Sequence, residues 1–448
     1  MLSDIRKERL KKLEKIREEG IDPYPARVKA RISLDEASGR FNALGRSKKK
    51  LYLAGRIVSL RDQGRLFFFD IDDGTGKMQV FASRREMKRF DLWKETLDIG
   101  DFVGVKGMLF KTKSGEKSLR CTSLDMLAKS LRPLPDYWFG LKDVEGRFRR
   151  RYLDLLMNRE VKKTFELRSS VLRKLREFLW KEGFIEVETP VLQPIPGGAT
   201  ARPFKTYHNA LGEEFYLRIA PELYLKRLLV GGFNKIFEMS RVFRNEGIDK
   251  DHNPEFTMLE LYWTYQNYTG LIKFTEKLLK PYIKSSWKKI SYAEAFRKYA
   301  GRELNGIKDK GSIDDIFKRK VLPALKHPTI IYGHPKSISP LSKLQSGGGD
   351  TTERFQFIID SVEIVNGFSE LNDPIDQRER MEYQEKLFRK GNQEAARIDK
   401  DFLEALEYAM PPAAGLGIGI DRLIAIIIGR KSIKESILFP TLRTEKKD

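Results

Sequence analysis

Apolar positions near the start of the chain, Leu2, Ile5, Leu10, Leu13 and Ile16, recur at helical intervals until Gly20 and Asp22-Pro23 end the pattern. That spacing predicts one amphipathic, basic helix. From Leu51 to about Ala128 the texture changes to short β-rich runs parted by turn residues: "LYLAGRIVSL", "GRLFFFDIDD", "GKMQVFAS", "DFVGVKGMLFKT" and "SLRCTSLDML". Five strands in so short a span predict a small barrel of the OB type, an oligonucleotide-binding architecture. The proline-bearing stretch "SLRPLPDYWFG" reads as a linker. Beyond it, helical stretches such as "KTFELRSSVLRKLREFLWKEGF" and "PELYLKRLLVGGF" alternate with hairpin-like strand pairs. Regular βαβ crossovers are missing, so the expected class is α+β, with an antiparallel sheet flanked by helices. The expected divisions are a lead-in at 1–48, the barrel at 49–130, a linker at 131–150 and a second domain at 151–448. The polar segment at about 288–328 is expected to be a small insertion, and "QSGGGDTT" at 345–352 a flexible loop.

Charge adds a partner to this outline. Lys plus Arg outnumber Asp plus Glu by 85 to 63, a net charge of +22, which favours a polyanionic partner such as nucleic acid or an acidic membrane, a charged surface that simply aids solubility being the plain alternative. Only Cys121 carries a thiol, which excludes a disulfide framework and a cysteine metal cluster and predicts a reducing, cytoplasmic setting. The first residues mix Asp4, Glu8, Glu14 and Glu18 with the basic ones and hold no apolar signal core. The longest apolar run, "LIAIIIG" at 423–429, is far short of the roughly 20 residues a membrane helix needs, so no membrane partner is expected.

Three stretches carry candidate chemistry. In "FEMSRVFRNEGIDKDHNPEFTMLELY", residues 237–262, strand alternation puts Phe256, Met258, Glu260 and Tyr262 on one face and Leu259 and Leu261 on the other. An aromatic ring, a carboxylate and a phenol in register can stack a ring and hold a cation; a salt-bridged Glu260 on a solvent face is the plain alternative. Arg244 closes the first strand, where a guanidinium can clamp carboxylate or phosphate oxygens. In "VEIVNGFSELNDP", residues 362–374, Val362, Ile364, Asn366, Phe368 and Glu370 share parity and would wall a pocket for an amine. Glu363 falls on the opposite parity, as a candidate Mg²⁺ ligand near phosphate. In "GLGIGIDRLIAIII", Arg422 enters an apolar helix start and requires an anion, either a ligand or a neighbour such as Asp421. Together these suggest a nucleoside triphosphate site, although the chain lacks the phosphate loop and the protein-kinase signature set.

At these residues the chain resembles the class II aminoacyl-tRNA synthetases, and among them the lysyl-tRNA synthetases. The three signatures appear in order as "GFIEVETPVLQPIPGGATARPF", the 237–262 stretch and "GLGIGIDR"; "RIAPELYLKRL" and "NGFSELNDP" narrow the likeness to the lysine enzymes. The resemblance covers essentially the whole chain. It implies ATP-dependent activation of L-lysine to lysyl-adenylate and transfer to the 3′ end of tRNA(Lys), with Mg²⁺ as cofactor, in a homodimer of bacterial type. It implies that Arg244 contacts the lysine carboxylate and the α-phosphate, that Arg422 holds the γ-phosphate and that Phe256 stacks on adenine. Glu246, His252 and Asn253 would position the nucleotide, and Gly198 and Glu222 would bind the α-amine. Glu260, Tyr262, Asn366, Phe368 and Glu370 would enclose the side-chain ammonium.

One departure stands out. The family has Arg-Phe-Glu before the pocket strand, and that glutamate joins the one at Glu363 on Mg²⁺; this chain has "RFQF", with Gln356. The insertion at 288–328 is also shorter than is usual in the family. In the barrel, the resemblance implies that Phe68 stacks on the anticodon, with Arg61, Gln79 and Glu116 making other anticodon contacts, although aromatic residues in strands most often pack in a core. A synthetase-like paralogue that charges a protein lysine, a sister synthetase for aspartate or asparagine, and an inactive RNA-binding module are the alternatives. The first lacks the barrel, the second carries cationic pocket residues, and the third would show damage at Arg244 or Arg422.

Overall fold

The computed structural model describes residues 2–135, 143–304, 307, 311–347, 349–392, 394–430 and 432–444. Parts of the expected linker, the insertion and the glycine-rich loop therefore lie outside the described residues. The chain divides into two compact units, 1–142 and 143–448.

The first unit opens with the helix Leu2–Glu18, which buries Leu13 and Ile16. Five strands follow: β1 (Leu51–Asp62), β2 (Leu66–Asp72), β3 (Lys77–Ser83), β4 (Phe102–Lys111) and β5 (Lys117–Ala128). They close into a barrel in the order β1-β2-β3-β5-β4, so no edge is left open. Period-two alternation sends Phe67, Phe69, Met78, Val80 and Ala82 into the barrel core. Phe68 and Phe81 point outward and pack ring to ring at 5.3 Å, and Phe81 packs on Phe110 at 5.8 Å.

The second unit carries β6 (Ile185–Glu186), β7 (Leu192–Gln193), β8 (Lys205–His208), β9 (Glu213–Leu217), β10 (Lys235–Phe243), β11 (Glu255–Thr264), β12 (Lys288–Ser291), β13 (Thr329–Tyr332), β14 (Arg354–Ile359), β15 (Val362–Ser369) and β16 (Ala413–Gly419). Eight of them form one sheet in the order β12-β13-β14-β15-β16-β11-β10-β6. Only the outer pairs, β12 with β13 and β10 with β6, are parallel. The fold is thus α+β with an antiparallel-rich sheet, as the pattern predicts. The expected insertion begins in this sheet, because β12 pairs along its edge, and the helices after it bury their own satellite core around Tyr292, Phe296 and Phe317.

One sheet face holds the main core. Phe237, Leu259, Leu261, Phe355, Phe357, Leu416 and Ile418 pack there under the helices Arg159–Lys181, Tyr268–Leu279 and Ile420–Ile427. The long helix starts at Asn158, whose side chain accepts from the Glu160 amide, and it buries Val161, Val171, Leu175 and Leu179 on one stripe. Asp421 ties the helices to the sheet: its carboxylate accepts from Arg168 Nη1 at 2.6 Å and from the Thr257 amide at 2.7 Å. Replacing Asp421 by Ala would leave the buried Thr257 N–H unpaired and take the carboxylate from the part-buried Arg168 guanidinium. A loss of about 3 kcal/mol is expected, read as a lower urea midpoint for the second unit's transition.

Candidate active site

The other face of the large sheet holds the polar rows. Register places Glu238, Glu260, Gly417, Asn366 and Gln356 side by side across five strands, and Tyr262, Gly415, Phe368 and Arg354 in the next row. Residues far apart in sequence meet here because antiparallel neighbours in one row share a face. The two glycines keep the floor low. A Cβ at Gly415 would sit 2.4 Å from Glu370 Oε1 and from the Tyr262 ring. At Gly198, with φ +84°, a Cβ would lie 2.8 Å from that of Glu222, so only glycine lets this turn lean on the helix Glu222–Val230.

At one end of the rows, carboxylates gather out of water. Glu222, Glu260 and Glu370 are 6%, 4% and 1% exposed. Tyr262 Oη donates to Glu260 Oε2 at 2.9 Å. Lys226 Nζ lies 2.6 Å from Glu222 Oε1 and 2.5 Å from Glu370 Oε2, and 5.3 Å from the Phe368 ring centre. Glu370 Oε2 meets only the Lys226 ammonium, and among the described residues its Oε1 has no hydrogen-bond donor. Burial, reinforced by Glu222, pushes Glu260 up to about 8. Burial likewise lifts Glu370 to about 8 against the pull of Lys226. Glu238 lies outside this excess, because Arg218 Nη1 meets it at 2.5 Å and Thr189 Oγ1 at 2.7 Å.

At the other end sit the guanidinium groups. Arg244 follows β10, with its backbone N–H bonded to Pro254 O across the loop, and its charge lies 5.2 Å from the Phe256 ring centre. Arg422 Nη1 donates to Glu363 O at 3.1 Å, and its Nη2 is 3.3 Å from His252 Nε2. Among the described residues neither arginine has a carboxylate within 4 Å. The alternative of Asp421 as the partner of Arg422 does not hold: Asp421 is spent on Arg168 and Thr257. Burial lowers the Arg244 pKa, partly offset by Glu246. His252 Nδ1 is held by Asp249, and Asn253 has both ends of its amide on backbone, at Glu255 O and the Thr441 N–H.

Parity fails at one point in β15. The pairing slips between Phe357 and Ile358, so that Phe357 faces Val365 while Ile358 faces Glu363. This bulge returns Val362, Ile364 and Val365 to the core side and brings Glu363 to the polar side, where its carboxylate accepts from Gln356 Nε2. The expectation that Glu363 lies on the face opposite Asn366, with Val362 and Ile364 beside the latter, is corrected accordingly. Gln356 Oε1 faces His334 Nε2 at 3.0 Å, and His334 Nδ1 faces Arg354 O at 3.2 Å. Burial, then the Arg354 charge, drives His334 down to about 3, so the ring is neutral and its single N–H belongs on Nδ1. Its Nε2 then accepts from the Gln356 amide only when that amide is turned over. The turn aims Oε1 beside Glu363 and creates a pair of oxygens suited to a hard cation.

Sequence reasoning missed Lys226, Arg354 and His334. Lys226 reads as one basic residue of an amphipathic helix, and nothing in its spacing marks it as fully buried. Arg354 Nε donates to Asn366 Oδ1 at 2.9 Å, which takes one acceptor of that amide. A separate cavity of about 520 Å³ is lined by Arg202, Phe204, Tyr216, Ile219, Asn245 and Arg397 and excludes the carboxylate cluster. On the barrel, Phe68 is outward and in register with Arg61, and Gln79 accepts from Ser118 Oγ at 2.8 Å. Glu116 is exposed next to the turn between β4 and β5. Phe81, Phe110 and Arg120, whose charge sits 4.7 Å from the Phe110 ring, extend that outer stripe and were not singled out from sequence.

This architecture is that of a family. Residues 143–443 match tRNA synthetases class II (D, K and N), and residues 51–127 match the OB-fold nucleic acid binding domain. The chain belongs to the class II tRNA synthetases, and within them to the lysine–tRNA ligase family. It is 45% identical to the lysine–tRNA ligase of Carboxydothermus hydrogenoformans over 99% of this chain and 98% of that one. It is 43% identical to that of Syntrophomonas wolfei (99% and 97%) and 42% identical to that of Methanoculleus marisnigri (97% and 94%).

Because Glu260 ionises near 8 in the folded chain and near 4.5 when exposed, the unfolded state loses the proton first, and stability falls as pH rises between those values. Glu260→Gln removes that penalty. Its melting temperature without ligand should exceed the wild type's by several degrees at pH 8.5, with the gap closing toward pH 5; a constant gap would contradict the assignment.

Proposed function

We propose that this protein is a lysine–tRNA ligase that uses ATP to activate L-lysine and then charges tRNA(Lys). The observation that carries the reading is the separation of charge along one sheet face among the described residues: buried carboxylates short of cations at one end, two guanidinium groups without carboxylate partners at the other. Lysine has two ammonium groups for the first and a carboxylate for the second. An aspartate or asparagine side chain would leave the carboxylates uncompensated, which disfavours those substrates of the wider family.

In this reading Glu260, Tyr262, Phe368 and Glu370 hold the side-chain ammonium, with Asn366 beside them, and Glu222 and the Gly198 backbone take the α-amine. Arg244 spans the lysine carboxylate and the α-phosphate. Phe256 stacks on adenine, Arg422 neutralises the γ-phosphate, and Glu246, His252 and Asn253 shape the loop over the nucleotide. A lysine carboxylate oxygen attacks the α-phosphorus in line, pyrophosphate leaves, and the terminal ribose hydroxyl of the tRNA later attacks the acyl carbonyl, releasing AMP. The side chains contribute alignment and charge neutralisation rather than a nucleophile. Mg²⁺, when bound, supplies charge to the phosphates; Glu363 and the turned Gln356 amide would hold it. Residues 49–130 would serve as the anticodon-binding domain, with Phe68, Arg61, Gln79 and Glu116 meeting unpaired bases, while 151–448 form the catalytic domain. Trp180, Ile185, Val191 and Leu192, 52%, 53%, 39% and 45% exposed, supply an apolar face for a homodimer. The work would be done in the cytoplasm.

Lysine should support ATP–pyrophosphate exchange while aspartate and asparagine support far less, and tRNA(Lys) should be charged; no lysine-dependent exchange would refute the reading. Arg422→Ala should lower exchange by about 10²-fold or more. Gln356→Glu should reduce the Mg²⁺ concentration needed for half-maximal ATP binding, read by calorimetry, because a carboxylate holds the ion more tightly than an amide.

A further inference from the structure

The helix Glu222–Val230 puts Lys226 one turn beyond Glu222, with its side chain fully enclosed. A long cation inside a fold is costly, and a well-packed apolar residue of similar volume is often the more stable choice. The surroundings explain why it is tolerated. From its own helix comes Glu222; from the end of β15, Glu370; from β11, Tyr262 and Glu260; from the neighbouring helix Lys400–Glu407, only the Phe402 ring, 6.0 Å from the ammonium. Asp399, before that helix, is turned away to Arg227 at 2.6 Å. Arg354 of β14 lies close enough to act on Glu222 but is bonded to Asn366 and to Ile338 O. Among the described residues Lys226 is thus the one ammonium in direct contact with two of the three crowded carboxylates, and it is held on a helix rather than on a loop.

We propose that Lys226 is a positioning and specificity residue for the amino-acid substrate: its ammonium bridges Glu222 and Glu370, favouring the carboxylate form of each and aiming both to receive the two ammonium groups of lysine. The inference rests on the lysine–tRNA ligase reading above. Burial works to strip the proton from Lys226, but Glu222 and Glu370 outweigh it and hold its pKa above the usual lysine range, so the cation persists. Burial raises Glu222 as well, against the pull of that same ammonium. Without Lys226 nothing in contact opposes the protonation of either carboxylate, and a protonated carboxyl attracts an ammonium poorly. Lysine capture would then require a higher pH.

The test uses the full chain in ATP–pyrophosphate exchange from pH 6 to 9. Lys226→Met should raise KM for lysine tenfold or more at pH 7, with KM for ATP within threefold of wild type. The acidic limb of kcat/KM for lysine should move up by a pH unit or more, whereas Lys226→Arg, which keeps the charge, should leave that limb in place. A methionine variant with the wild-type limb and lysine KM overturns the proposal, and so does a loss spread equally over lysine and ATP. Should the methionine variant fail to fold, Lys226→Met combined with Glu370→Gln leaves fewer uncompensated charges and is compared with Glu370→Gln alone. The added substitution should still shift the limb upward through Glu222; an unchanged limb overturns the proposal. Wild-type enzyme without lysine-dependent exchange would refute the functional reading instead, so the two failures are distinct.

Discussion

A carboxylate kept from water must find a cation or take up a proton, and the second unit is arranged around that constraint. Glu222, Glu260 and Glu370 are buried together, with Lys226 touching two of them and a phenol the third. Burial raises all three carboxyl groups. The fold therefore carries an electrostatic deficit, and in the proposed reading a dicationic amino acid would remove it, turning stability given up by the fold into selectivity for ammonium groups. The opposite end of the same rows presents Arg244 and Arg422, which among the described residues lack carboxylate partners, so in the proposed reading one bound molecule pair would answer both imbalances.

The sheet makes this arrangement rigid. Five strands place Glu238, Glu260, Gly417, Asn366 and Gln356 in one row, and a packed core of Phe, Leu and Ile under the opposite face fixes their spacing. Gly415 and Gly417 lower the floor where side chains from both sides must lean over it. Asp421 and Arg168 lock the helix that carries Arg422 to the strand that carries Glu260. Alignment of reacting groups is the chief means of catalysis in this reading, so the stiffness of these ties belongs to the mechanism as much as to stability.

Gln356 shows how one departure reorganises its neighbours. A glutamate there would place two carboxylates together over the phosphates. The amide instead stands between Glu363 and a neutral, buried His334, and the bulge in β15 is what brings Glu363 beside it. The barrel departs from expectation in a milder way. Phe68 does face outward, yet it stands in a stripe with Phe81 and Phe110 that a reading of one strand at a time does not assemble.

The chain's own pattern determined the five barrel strands, the antiparallel-rich sheet and the faces of Glu260 and Tyr262, because period-two alternation is a local property that each strand carries by itself. Its ordered motifs also named the family. Tertiary structure alone decided that Asp421 answers Arg168 rather than Arg422, that a bulge turns Glu363 to the polar side, and that Lys226 is sealed between two glutamates. Those outcomes depend on register slips and on contacts between elements distant in sequence, where a charged residue on an amphipathic helix looks the same whether solvent or a carboxylate waits beside it.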